Sequence, residues 1–202
     1  MNRLLFFLFA ILLAAAVGLS VAASDFAVLP MDLRIAEELQ EETNPVFGGL
    51  MVGVSEVGRP FVAMALMAAS AAAFALRRRW LEAVLLVSTI SAFEVSSLLK
   101  RIVARARPTL EAQDSFPSGH VVIFMVFFGA LGYLAWVHLS GYLRWTIIAG
   151  CALLIVLVGP SRVYLGAHWA SDVLGGYILG GVWLLLMVEV YRRGQPRSEE
   201  GV

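Results

Sequence analysis

Six long apolar stretches, separated by short charged connections, constrain this chain more than any motif in it. They run over residues 4–23, 59–76, 80–99, 120–137, 143–159 and 169–191. Each is close to the roughly 20 residues that a helix needs to cross a bilayer. The second belongs to a longer apolar run from residue 49, but Glu56, Arg59 and Pro60 interrupt it, which sets its start near Arg59. With 60% hydrophobic residues and a mean hydropathy of +0.83, the composition is far from that of a soluble domain. In lipid all backbone polar groups must be satisfied within the segment, so the stretches are helices. The pairs Gly175-Gly176 and Gly180-Gly181 permit close helix approach. The expected fold is all-α, one domain over residues 1–202: an integral membrane bundle of six transmembrane helices.

The first stretch has a rival reading, because Arg3, an apolar run and Ala22-Ala23-Ser24 resemble a cleavable signal peptide. The run is longer than a usual signal core, and retaining it gives an even number of spans, so an anchor is expected. Arg3, Arg77-Arg78-Arg79, Arg144, Arg192, Arg193 and Arg197 then share one side of the membrane. The triple arginine abutting two spans marks that side as cytoplasmic, with both termini there. The opposite side carries Arg34, Arg59, Lys100, Arg101, Arg105, Arg107 and Arg162. In the first outer connection, residues 30–42 form a short amphipathic interfacial helix, with Leu29, Leu33, Ala36 and Leu39 or Ile35 on one side and glutamates on the other. There it is placed to admit a lipid headgroup.

Other classes of function are disfavoured. The formal net charge is +0 and no basic run is interleaved with aromatics, so nucleic acid is not an expected partner. The one cysteine, Cys151, sits inside an apolar stretch and reads as a packing residue. The histidines and carboxylates lack metal-ligand spacing, so neither a metal nor another cofactor is expected.

Three segments at stretch ends carry chemistry. Lys100 is followed by Arg107-Pro108, and Pro117-Ser118-Gly119-His120 opens the fourth stretch. Ser161-Arg162 precedes His168 and Asp172. Lys100, Arg107 and Arg162 are cations suited to phosphoryl oxygens, arginine because its planar fork bonds two of them at once. Ser118 suits an N-cap, Gly119 lets a ligand approach backbone, and the first helical turn offers free N–H groups to an anion. His168 and Asp172 stand i, i+4 on a helix expected to begin near Ala167, where a carboxylate on one imidazole nitrogen leaves the other free to attack. Glu94 reads as a polar contact within the bundle, and His138 as interfacial. The five tryptophans, Trp80, Trp136, Trp145, Trp169 and Trp183, read as an aromatic belt.

Together these segments closely resemble the signatures of the type 2 phosphatidic acid phosphatase superfamily, which also includes glucose-6-phosphatase and vanadium haloperoxidases. Lys100, Arg107, Pro108, Pro117, Ser118, Gly119, His120, Ser161, Arg162, His168 and Asp172 match it without departure. The resemblance implies that His168 attacks phosphorus to form a phosphohistidine, Asp172 orients it, and His120 protonates the leaving group. It implies that Lys100, Arg107, Ser118, Gly119 and Arg162 hold the phosphoryl group, without a metal. The expected function is a bacterial membrane lipid phosphatase with its site on the outer face of the cytoplasmic membrane. Expected substrates are phosphatidylglycerol phosphate, phosphatidic acid or undecaprenyl pyrophosphate. A phosphotransferase and a non-catalytic lipid-phosphate binding or transport protein are the alternatives.

Overall fold

The computed structural model describes residues 3–109 and 112–195; Arg197 lies outside them. Those residues form eight helices: α1 (Arg3–Asp25), α2 (Pro30–Gln40), α3 (Pro45–Val57), α4 (Pro60–Leu76), α5 (Trp80–Val103), α6 (Gly119–His138), α7 (Gly141–Tyr164) and α8 (Ala170–Gly194). Five are long and apolar enough to cross a membrane; α3 and α4, bent by 58° at their junction, make a sixth if taken as one broken span. The protein is an integral membrane helical bundle.

The break between α3 and α4 is the main departure from the expected spans, which did not include α3. Asn44 starts α3 by accepting hydrogen bonds from Val46 N (2.9 Å) and Phe47 N (3.3 Å), so the apolar run turns helical well before Arg59. Gly58 then stops it, and Pro60, lacking an N–H, begins α4 as the favoured first residue. The 30–42 segment is helical as expected, but its polar side is not all solvated. Asp32 is fully buried, while Leu33 on the supposed apolar side is exposed.

α6 is the central helix, packed against α5, α7 and α8, while α1 and α2 close over α8. Its buried side chains include Val121, Val122, Phe124 and Val126. Gly176 makes the α6–α8 contact possible, since a Cβ there would lie 2.8 Å from Ser118 O. α7 does not end before Pro160 but runs on to Tyr164. The Tyr177 hydroxyl enters the ladder at this point, donating to Ile155 O (2.6 Å) and accepting from Gly159 N (3.1 Å). An inserted side chain of this kind lets a helix pass a proline. As a result Ser161 and Arg162 sit on the last turns of α7, not in a loop.

The helix ends gather polar residues into two groups. One group joins the C-terminal ends of α5 and α7 to the N-terminal ends of α6 and α8. At the opposite end His138 is not merely interfacial. Arg79 Nη2 lies 2.7 Å from its Nδ1, and its Nε2 lies 3.1 Å from Glu82 Oε1, which also accepts from the Tyr191 hydroxyl (3.2 Å). Trp80, Trp136 and Trp145 are exposed near that end, as a belt requires. Trp169 and Trp183 instead donate inward, to Ala106 O (3.0 Å) and Ser88 O (3.1 Å).

Candidate active site

Four helix ends meet around one cavity of about 260 Å³. Lys100, Arg107, Gly119, His120, Arg162 and His168 all line it, with Phe93, Ser97, Asp114 and Ile123 among the other walls. Ser118 and Asp172 stand behind this lining. The signature segments are also stitched together directly, since Ser118 N donates to Asp172 O at 3.0 Å.

Each side chain is placed by local structure. His120 occupies the first turn of α6 and packs against Gly58, where a Cβ would come within 2.4 Å of its Cδ2. The α3–α4 break thus makes room for the imidazole. Ser118 is the N-cap residue of α6, but its hydroxyl caps nothing. His168 lies ahead of α8, which begins at Ala170 and not near Ala167. Asp172 is therefore in the first turn of α8 and accepts from Trp169 N at 2.8 Å, a capping contact that holds the carboxylate under the His168 ring. Its Oδ2 is 3.8 Å from His168 Nδ1, too long for a hydrogen bond, so the contact is electrostatic.

The cations are held as well. Lys100 donates to Asp114 O, Arg107 grips the Asp114 carboxylate through Nε (2.7 Å) and Nη2 (2.9 Å), and Arg162 donates to Ser55 Oγ. Among the described residues, five buried side-chain polar atoms lack a hydrogen-bond partner: Thr89 Oγ1 and Ser96 Oγ on α5, and Ser118 Oγ, Arg162 Nε and His168 Nδ1 in the signature segments. Buried polar atoms are normally satisfied; His168 Nδ1 faces Asp172, while Ser118 Oγ and Arg162 Nε keep unused hydrogen-bonding capacity. Burial pushes the His168 pKa down to about 4, with Asp172 opposing and Lys100 and Arg162 reinforcing the shift. At neutral pH its imidazole is uncharged, as a nitrogen nucleophile must be. The Arg107 hydrogen bonds hold the Asp114 carboxyl below its usual range.

Two features escaped the sequence reading. Asp114 is the counter-charge to Arg107, and charge balance could have found it, since three cations converging on one site call for a nearby carboxylate. Arg105 is the second. It counted only as an outer-face cation, yet its side chain is 1% exposed. Ala104, at φ +47°, ends α5 in the left-handed region and turns the chain so that Arg105 points into the protein. No local pattern announces that turn at an alanine.

Glu94 does not make the bundle contact expected of it. It lines a second cavity, of about 240 Å³, with Ala63, Met64, Met67, Thr89, Ile90, Phe93 and Ile123. Phe93 and Ile123 line both cavities, so this mostly apolar space between α4, α5 and α6 adjoins the histidine cavity.

The family model described as the PAP2 superfamily matches residues 81–195. Phosphatidylglycerophosphatase B of Bacillus subtilis (strain 168) is 32% identical over 184 residues, covering 86% of this chain and 87% of the relative. An undecaprenyl-diphosphatase of Sulfolobus acidocaldarius is 32% identical over 167 residues, covering 75% of this chain and 74% of that one. The crystal structure of a transmembrane PAP2 type phosphatidylglycerolphosphate phosphatase from Bacillus subtilis superposes with a TM-score of 0.78 at 25% identity, over 94% of this chain and 98% of that one.

Proposed function

The chain belongs to the PAP2 superfamily, and from that premise we propose that it hydrolyses a lipid phosphomonoester or pyrophosphate through a phosphohistidine on His168. The observation that carries this reading is the adjacency of the two cavities. One converges two histidines and three cations on a single space, and the other, which shares Phe93 and Ile123 as walls with it, is mostly apolar and lies in the membrane-spanning region. A lipid tail fits the second space while its phosphate occupies the first, which a soluble sugar phosphate has no reason to do.

Transfer of a phosphoryl group depends mainly on positioning and charge neutralisation. Lys100, Arg107 and Arg162 bind the non-bridging oxygens, with Ser118 Oγ and the backbone at Gly119 as further donors. Neutral His168 attacks phosphorus through Nε2, its Nδ1 facing Asp172. As the P–N bond forms, the ester or anhydride P–O bond breaks and His120 gives the departing oxygen its proton. Asp172 stabilises the charge on the phosphorylated ring. His120 then takes a proton from water, whose oxygen attacks phosphorus and breaks the P–N bond. Inorganic phosphate and neutral His168 result. This chemistry uses no metal.

Phosphatidylglycerol phosphate, phosphatidic acid and undecaprenyl pyrophosphate are the substrates to test. The site faces the outer side of the cytoplasmic membrane, with both termini inside. Arg77, Arg78, Arg79, Arg144, Arg192 and Arg193 at the far helix ends support this placement. The test is phosphate release by detergent-purified protein across these lipids, with His168→Ala as blank. Labelled phosphate should be trapped on the wild type after acid quench and be absent from the variant. Label retained in His168→Ala overturns the nucleophile assignment, and label moved to an added acceptor in place of water makes the protein a phosphotransferase.

A further inference from the structure

Asp172 is held on its far side by a buried network that reaches back to α2. Arg105 Nη1 donates to Asp172 Oδ1 (2.6 Å) and Ser171 Oγ (2.7 Å), Nη2 to Asp32 Oδ2 (2.7 Å), and Nε to Ala27 O (3.1 Å). Asp32 in turn accepts from Ser171 N (2.9 Å), Ser171 Oγ (2.8 Å) and Leu29 N (3.0 Å). Ser115 Oγ and Trp169 N bond the other oxygen of Asp172. Every N–H direction of the guanidinium that faces a partner is used, and the side chains of Asp32, Arg105 and Asp172 are at most 1% exposed.

We propose that Asp32 and Arg105 are positioning residues for the phosphatase reaction, acting on His168 through Asp172 and making α2 part of the catalytic apparatus. The inference rests on the reading of His168 as nucleophile. Its first element is geometric. With Oδ1 fixed by Arg105, Oδ2 has one remaining direction, toward His168 Nδ1. Its second element is charge. One guanidinium is shared between two carboxylates, so the group keeps a net negative charge beside His168. A ring that becomes cationic on phosphorylation gains from that charge, and in a buried setting the gain is little screened. Were Asp32 neutral, Arg105 would compensate Asp172 alone and the carboxylate would stabilise the phosphorylated ring less. The other charged or titratable groups that share the cavity with His168 are Lys100, Arg107, Arg162, His120 and Asp114. All but Asp114 are cationic or neutral, so the negative charge comes mainly from behind.

Buried pairs of this kind also stabilise folds, so the test separates the two roles. Asp32→Asn keeps shape and removes the charge, but its one acceptor oxygen can serve either Ser171 N, now on Oδ1, or Leu29 N, now on Oδ2, and not both. It should lower kcat roughly 10- to 100-fold, the usual scale for a supporting partner behind a reactive side chain, with KM within about threefold of wild type. Arg105→Lys, which retains charge but loses the fork, should fall by a similar factor. The double variant should be no worse than the poorer single, because both act through one carboxylate. Ser171→Ala, which removes a hydroxyl from both Asp32 and Arg105, gives a milder reduction of the same kind should Asp32→Asn not fold. Arg34→Ala on the exposed side of α2 should leave kcat unchanged. Asp32→Asn with wild-type kcat, losses that appear only in KM, or Asp32→Asn and Arg105→Lys losses that multiply independently would each overturn the relay. All variants are read as ratios to a wild type that releases phosphate; a wild type without release refutes the lipid phosphatase reading itself.

Discussion

The bundle carries two groups of arginine, histidine and carboxylate, one at each end, and they differ in what is left over. At the far end Arg79, Glu82, His138 and Tyr191 bond one another, and Glu82 with three partners is 5% exposed. At the other end Lys100, Arg107, Arg162, His120 and His168 surround a cavity, and Ser118 Oγ and Arg162 Nε are buried without partners. The same residue types make a closed latch in one place and an open cavity, the proposed reaction site, in the other. What distinguishes them is that the histidines and cations at this end line a cavity, whereas those at the far end are bonded to one another. In sequence only one of the two shows a histidine near a carboxylate: Asp172 is four residues from His168, whereas Glu82 is far from His138 in the chain.

Substitutions can break this contrast. The largest effect is expected from His168→Ala, at least about 10⁴-fold in phosphate release, the scale of removing a nucleophile; loss below 10-fold would equate it with the far-end histidine. His120→Ala should lose about 10²- to 10⁴-fold on lipid alkyl esters and far less on aryl phosphates, whose leaving groups need little protonation. Leaving-group comparison in a phosphate-release assay checks this, and an equal loss on both would remove the acid role. At the far end, Glu82→Gln should leave kcat within about twofold while destabilising the detergent-solubilised protein by about 1–3 kcal/mol, the cost of an uncompensated buried group, read by thermal unfolding. The smallest effect is one of pH. Burial holds the His168 pKa at about 4, below the usual 6.5, so the neutral nucleophile is lost only as pH falls through about 4. With an aryl phosphate, kcat/KM should therefore change less than about twofold between pH 7 and 5.5. Stability contributed by this group is complete above its unfolded value and declines as pH falls toward 4; an activity limb near pH 6.5 would mean that the ring is solvated.

Much of this was legible in the chain because a bilayer reduces fold to one dimension. All six apolar stretches begin within two residues of a helix start, since hydropathy alone decides which residues enter lipid. The lining residues Lys100, Arg107, His120, Arg162 and His168 were legible because phosphoryl chemistry needs particular groups at helix ends. What stayed hidden depends on distant contacts. Arg105 and Asp32 are 73 residues apart, and nothing local to either says that they pair. α7 passes Pro160 only because Tyr177, on another helix, supplies the missing interaction. The Ser118 hydroxyl looked like a cap because Ser usually is one, yet here it is withheld from the helix.

The shortness of α4 has a consequence for how the chain spans the membrane. At about 1.5 Å per residue its 17 residues reach about 26 Å, whereas the 24 residues of α5 and α7 reach about 36 Å. A hydrocarbon layer of roughly 30 Å is thicker than the first and thinner than the others. Alone, then, α4 falls short of that thickness, and α3, joined to it at 58°, makes up the length. Gly58 at that bend sits against His120 and lines the histidine cavity, so the break that completes the span also shapes a wall of the site.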